Sequence, residues 1–550
     1  MAPRRLKKAK NGPSSIDPVS ENDYIALGDN HEEAMRKHRV GDPAKAARFA
    51  DRALDTYARG LACFPQSFDL AYNRARLELE KATDTWLSPM LPIPVIDMLR
   101  QALTSHYYAR NLDPDHTDTL FNLAQVLTSI AEITAEDDDA DDAEACRMIQ
   151  QALEIQSRCL DLQRAALAKR REEFNDAVFE ASEHMAELKI HEQADSKPAP
   201  EPQDATPDEQ WATIEEPVSA ETLLETITAQ LEALSALCSV LSYSSRSSPD
   251  FHHAASAALS WIDSYSENLL SQILPSIIAD NQLMANHGLF GVMLSRAVFI
   301  GKYLELSFRL SKIDVDGYQR GLEAAFAKFT EYGLDSDSDS GGIRMARAHA
   351  LILLNTTLAD TESDTTSAAG AVTGSHAALR WKVLIDAQSH LVSIAKTPGT
   401  DQHNIAATHQ LRGDISLLLQ MLAYPPAAHP QARATTPQLL KNAEIYYRNA
   451  SKLFGAGSRP LDSERIACEF KGAVVRLLQQ VAAGQAASGS SLGQDNTGTT
   501  IGVSASAEMI KLALEPVLRA RGEEWVMEQI EDMIDHGLVA PEVFSAVIPC

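Results

Sequence analysis

At 550 residues with 45 % hydrophobic content, the chain is too long for one small core and too apolar to be largely disordered. Its net charge of −27 disfavours a general affinity for nucleic acid. The first ten residues carry five positive charges (Arg4, Arg5, Lys7, Lys8, Lys10) and no acid, which leaves the remainder at −32. Aromatics are sparse at 6 %, and Ala, Leu, Glu and Gln crowd the apolar-periodic stretches. Val/Ile/Tyr alternation bounded by turns is almost absent, so the expected fold class is all-α, in two or three domains.

Residues 1–20 read as a flexible basic tail, and Arg4-Arg5-x-Lys7-Lys8-x-Lys10 is a nuclear-localisation pattern. Residues 21–192 read as a first helical array. Helices are predicted over 22–39, from Pro43 to Phe64, and over 68–82, 95–112 and 117–134. The three prolines in Trp86–Val95 forbid a regular helix there. Glu136–Glu144 holds seven acids in nine residues, and Asp137, Asp138, Asp139, Asp141 and Asp142 form a candidate docking strip for Lys/Arg-rich segments. A long helix over 143–192 follows, with Leu153, Leu160, Leu167, Phe174, Ala181 and Leu188 recurring every seven residues. The flanking row contains Gln156, Gln163 and Arg170, so the seam is half-made and predicts docking on the array rather than dimerisation.

Residues 193–218 read as an acidic, Pro-rich linker containing Trp211, and 219–483 as a second helical array. Helices are predicted there over 219–243, 250–273, 283–310, 315–332, 343–360, 375–396, 402–423, 437–453 and 461–483. Residues 484–503 read as a Gly/Ser-rich linker, and 504–550 as two or three short C-terminal helices. No apolar run reaches the length of a membrane span and no signal peptide is visible. The six scattered cysteines fit a reduced compartment, so nucleus and/or cytoplasm is expected, as a monomer.

Two segments repeat one grammar. "FPQSFDLAYNRA" (64–75) and "DPDHTDTLFNLA" (113–124) each place a proline before an aromatic–Asn–x–small motif that opens a helix. A third copy, Tyr24-x-x-Leu27-Gly28, opens the first helix; Gly28, Ala75 and Ala124 fall at equivalent places. These residues resemble the tetratricopeptide (TPR) family, and Ala443, Tyr447 and Ala450 look like a second helix of the same kind. The resemblance implies a superhelix of helical hairpins that binds peptides or protein partners in its concave groove. It implies groove roles for Asn73, Arg74, Asn122 and Gln125. Members that grip the C-terminal carboxylate of Hsp70 or Hsp90 use Lys, Asn and Arg at positions that here hold Ile25, Asp29, Asn73, Asp118 and Asn122. Only Asn73 fits, so a carboxylate clamp is not expected.

Catalytic patterns lack their context. Gly489-x-Ser491-x-Gly493 lies in the Ser/Gly-rich spacer with no strand before it. His191-Glu192 has no second His at zinc spacing, and no phosphate-binding glycine loop occurs. The chain is therefore read as non-enzymatic, with no catalytic residue, metal or cofactor. The expected function is an adaptor or chaperone holding a basic client, such as a ribosomal or other nucleic-acid-binding protein. The rival expectation is a constitutive scaffold subunit of a nuclear or cytoplasmic complex.

Overall fold

The structure is a computed structural model that describes residues 18–135, 142–191, 218–244, 249–280, 286–334, 340–369, 376–397, 400–456, 462–487 and 507–544. Among these residues all regular structure is helical, as the composition predicts. The chain divides into two compact units, Met1–Phe299 and Ile300–Cys550.

The first unit begins with three antiparallel helix pairs. Helix α1 (Glu21–His38) is opened by a capping box: the Ser20 hydroxyl accepts from Asp23 N–H, and the Asp23 carboxylate accepts from Ser20 N–H. Asp42 caps α2 (Pro43–Cys63), whose first residue is proline, a position with no N–H to satisfy. Ser67 caps α3 (Phe68–Thr83). As the prolines dictate, the segment after α3 holds only a 3₁₀ turn, Ser88–Met90, before α4 (Val95–Leu112). Then come α5 (Thr117–Ala135) and the 50-residue α6 (Asp142–His191). The small residues Ala75, Ala102, Ala109 and Ala124 are fully buried, which lets neighbouring helices approach closely.

Helix α6 divides along its length. Leu153 and Leu160 are buried, whereas Phe174 is 68 % exposed. Gln156 and Gln163, which interrupt the second apolar row, are also buried. Gln163 Oε1 accepts a 2.8 Å bond from Thr226 Oγ1 on α7 (Ala220–Ser244), so a neighbouring helix of the same chain meets the polar row at Gln163, while Gln163 Nε2 and Gln156 Oε1 stay buried without a partner among the described residues. Ala181 and Leu188 lie outside the described side chains.

The packing of α7 on α6 moves a predicted boundary. Residues 193–218 were expected to separate two arrays, but α7 packs on α6 within the first unit, and the units divide inside α10 (Asn286–Arg309). The predicted helix 250–273 is instead α8 (Pro249–Asn268), a π-helical turn (Leu269–Ile273) and α9 (Leu274–Asp280). Leu274 N–H bonds the Leu269 carbonyl in π register, just before Pro275, which has no N–H to continue an α ladder. By length and composition alone Ala220–Tyr243 could cross a bilayer, but 72 % of its apolar 18-residue window is buried within the fold, as in a core helix.

The second unit contains α11 (Val315–Glu331), α12 (Ser340–Ala369), α13 (Ala377–Lys396), α14 (Gln402–Met421), α15 (Pro430–Ala456), α16 (Asp462–Ala487), α17 (Ala507–Arg521) and α18 (Glu523–Asp535), closed by a 3₁₀ turn at Pro541–Phe544. Helix α15 starts seven residues before the predicted 437, with Pro437 inside it. The C-terminal helices are not a separate domain: Ile510, Leu514, Val526 and Ile530 share one core with Ile415, Leu419, Tyr447 and Phe470.

One packing device occurs in both units. Gly28 of α1 faces Tyr57 of α2, and Gly413 of α14 faces Tyr447 of α15, both tyrosines being fully buried. Glycine is required because a Cβ would lie 2.1 Å from the Tyr57 ring in one case and 2.6 Å from the Tyr447 ring in the other. The Tyr57 hydroxyl donates 2.7 Å to Glu32, and the Tyr447 hydroxyl donates 2.7 Å to Asp414. A cation from the next inner helix completes each set: Arg76 on Glu32, and Lys471 on Asp414 at 2.9 Å.

Candidate functional groove

Alternate helices of the first unit line one groove of ≈ 800 Å³. Helix α1 and its C-cap contribute Arg36 and Arg39, α3 contributes Tyr72, Arg76, Leu79, Glu80 and Thr83, and α5 contributes Phe121, Asn122 and Gln125. Glu225, Thr228, Ala229 and Glu232 come from α7, and Gly288 and Gly291 from the first turns of α10. Each set falls at the three- and four-residue spacing that puts side chains on one helix face.

Two of the four residues expected in the groove line it: Asn122, which is 8 % exposed, and Gln125. The other two do not. Asn73 is buried at 5 % exposure, and Arg74 turns along its own helix, with Nε 2.9 Å from Glu78. The repeat offset between Ala75 and Ala124 carries Gln125 onto Arg76, not Arg74, and Arg76 is the α3 residue that lines the groove. A helix advances about 100° per residue, so a two-residue shift moves a side chain to another face. The acidic strip and the basic tail, Asp137–Asp139, Asp141, Arg4, Arg5, Lys7, Lys8 and Lys10, lie outside the described residues. Asp142 opens α6 as an acidic residue in its first turn.

The charges in the groove divide into paired and unpaired. Glu32 is 1 % exposed and holds both Arg36 and Arg76. Arg76 also reaches Glu80 at 3.0 Å, and Arg39 reaches Asp84 at 3.0 Å. Every guanidinium lining the groove is therefore neutralised by a carboxylate of the fold. Glu225 has no ion-pair partner among the described residues, and Glu232 meets only the Ser295 hydroxyl, at 3.5 Å. Burial pushes the Glu232 carboxyl above the usual range, with the Ser295 bond opposing. The uncompensated charge of the groove is negative and sits on α7.

Behind the groove, burial and the neighbouring Glu32 raise Asp29 to about 6, against the Tyr57 hydrogen bond and the Arg76 and Arg36 charges. This coupling was not readable from the sequence, where Asp29 figured only as a misfit to a carboxylate clamp. Among the described residues no group of three or more His, Cys, Asp or Glu is placed to hold a metal ion.

The fold and groove define a class: an all-α protein whose first unit carries a groove lined by residues of α1, α3, α5, α7 and α10. No family model matches the chain. Over 159 residues it is 38 % identical to the UPF0656 protein C926.02 of Schizosaccharomyces pombe, a match covering 29 % of this chain and 33 % of the yeast protein. The chain thus matches about a third of the length of that relative, whose name states no activity.

Proposed function

We propose that the first unit is a TPR-like array of helical hairpins acting as a protein-binding adaptor or chaperone. Its client is basic, such as a ribosomal or other nucleic-acid-binding protein, held in the groove of α1, α3, α5 and α7 by Lys or Arg side chains. The observation that carries this reading is the charge division just described: the arginines are internally paired, and Glu225 and Glu232 are left for a ligand. Asn122 and Gln125 supply amide groups for a bound backbone, and Tyr72 and Phe121 an apolar wall. The acidic body favours encounter with a basic partner and weakens it with salt. The basic tail supports a nuclear or nucleocytoplasmic place of action.

The test is affinity purification from native cells at low and high salt, comparing wild type with Glu225→Gln/Glu232→Gln. A basic protein bound near stoichiometrically at low salt, lost at high salt and reduced roughly tenfold by the double variant is the expected result. Salt-resistant neutral or acidic subunits, retained equally by the variant, would overturn it and make the protein a scaffold subunit.

A further inference from the structure

We propose a second docking surface on the first unit, for a proline-rich segment of a partner protein that carries Lys or Arg residues three apart. It is a shallow trough of ≈ 590 Å³ between α6 and α8, separate from the groove. Its apolar wall is an aromatic pair one helical turn apart, Trp261 and Tyr265, with ring centroids 5.2 Å apart and planes tilted by 37°. Trp261 is 37 % exposed, whereas Tyr265 is pinned from below: its hydroxyl donates 2.7 Å to Gln230, itself only 1 % exposed. Leu162 supplies the floor. A fixed tyrosine beside a half-exposed tryptophan offers flat faces to pyrrolidine rings, and a polyproline II ligand loses little conformational freedom on docking.

Charge selects the ligand further. The opposite wall carries Glu154 and Asp161. Its cation, Arg158, is already paired with Asp115, and Glu154 has no ion-pair partner among the described residues. Among the described residues, the ion-pair contact of Asp161 is a long one with Arg164, at 3.9 Å. Seven residues of α-helix separate the two carboxylates by about 10.5 Å along the axis. One turn of polyproline II advances about 9.3 Å, so basic side chains at i and i+3 of such a ligand meet both acids while prolines between them stack on the aromatic pair.

The probe is a fluorescein-labelled peptide of alternating Pro-Pro and Lys, with a control in which Glu replaces Lys, titrated into the full chain and followed by anisotropy. Trp261→Ala should weaken binding of the Lys peptide at least ~10-fold, as expected for an aromatic anchor. Glu154→Gln/Asp161→Asn should weaken it severalfold and flatten its salt dependence, while the Glu peptide should bind poorly to every form. Trp261→Phe should retain most of the binding, which separates loss of the ring from loss of the fold. The Glu225→Gln/Glu232→Gln groove variant should bind the Lys peptide as wild type does. Failure of wild type to bind, equal binding of the two peptides, unchanged binding by Trp261→Ala, or loss of binding in the groove variant would each overturn the proposal.

Discussion

Gly28→Ala tests how the first hairpin is held. A methyl at that position would lie 2.1 Å from Tyr57 Cε1, 2.5 Å from Cζ and 2.8 Å from the hydroxyl. Tyr57 cannot yield easily, because it is fully buried and its hydroxyl is bonded to Glu32. Overpacking of this kind costs about 1–3 kcal/mol. Displacing a hydrogen bond to a buried charged group adds about 1.5–3 kcal/mol. Replacing glycine by alanine inside a helix returns about 1 kcal/mol, so the net loss should be about 1.5–5 kcal/mol. Tyr57→Ala removes the clash, and in that background Gly28→Ala should be neutral or stabilise by up to about 1 kcal/mol. The measurement is denaturant unfolding of the four members of the cycle, with amide hydrogen exchange of peptides from 21–63 reporting on the hairpin itself. A Gly28→Ala variant within about 0.5 kcal/mol of wild type, or one equally destabilised with and without Tyr57, would refute the reasoning.

Breaking the buried ion set should be costly: Arg76→Ala leaves Glu32 short of a cation and is expected to destabilise by about 3–5 kcal/mol, seen in the denaturation midpoint. Glu32→Gln in the Arg76→Ala background should restore part of that loss, and its failure to do so would mean that Arg76 acts through packing alone. Asp29 gives a pH signature. Its folded-state pKa of about 6 lies above its ordinary 3.8, so between those values the folded chain holds a proton that the unfolded chain has released. Stability from this group is therefore full below about pH 4 and is lost as pH rises toward about 6. Asp29→Asn should flatten that slope and raise stability at pH 7–8 by about 1–2 kcal/mol, allowing for partial solvent screening. Unfolding midpoints measured from pH 4 to 8 in both forms check it, and parallel pH profiles would refute the assignment.

Much of the fold was legible because it rests on local signals. Capping residues Ser20, Asp42 and Ser67, the prolines of 86–95 and the alanine stripes set the helix ends and faces of the first hairpins. What escaped the sequence was decided by partners far away in the chain. Gln156 and Gln163 read as breaks in a seam, since nothing local says that Thr226 will bond Gln163. The boundary at 193–218 was inferred from composition, but which helices share a core depends on α7 meeting α6. Pro275 and Pro437 show the limit of treating proline as a stop: one is accommodated by a π turn, the other within a helix. In the groove, the repeat itself held the information that Arg76 is equivalent to Gln125: the 49-residue offset that carries Ala75 to Ala124 carries Arg76 to Gln125, whereas Arg74 is equivalent to Leu123. Glu225 and Glu232 gave no signal, because an acidic chain offers glutamates everywhere and only the pairing of Arg36, Arg39 and Arg76 shows which are unspent.

That pairing also shapes how a ligand would be chosen. Arg36 and Arg76 are already frozen by Glu32, so no rotamer freedom of theirs is lost when the groove fills. An acidic segment that drew either arginine off Glu32 would leave a carboxylate that is 1 % exposed buried and short of a cation. On the proposed reading, the chain's own stability would oppose a ligand of the wrong sign, and loosening the Glu32 set should relax selectivity before it weakens affinity.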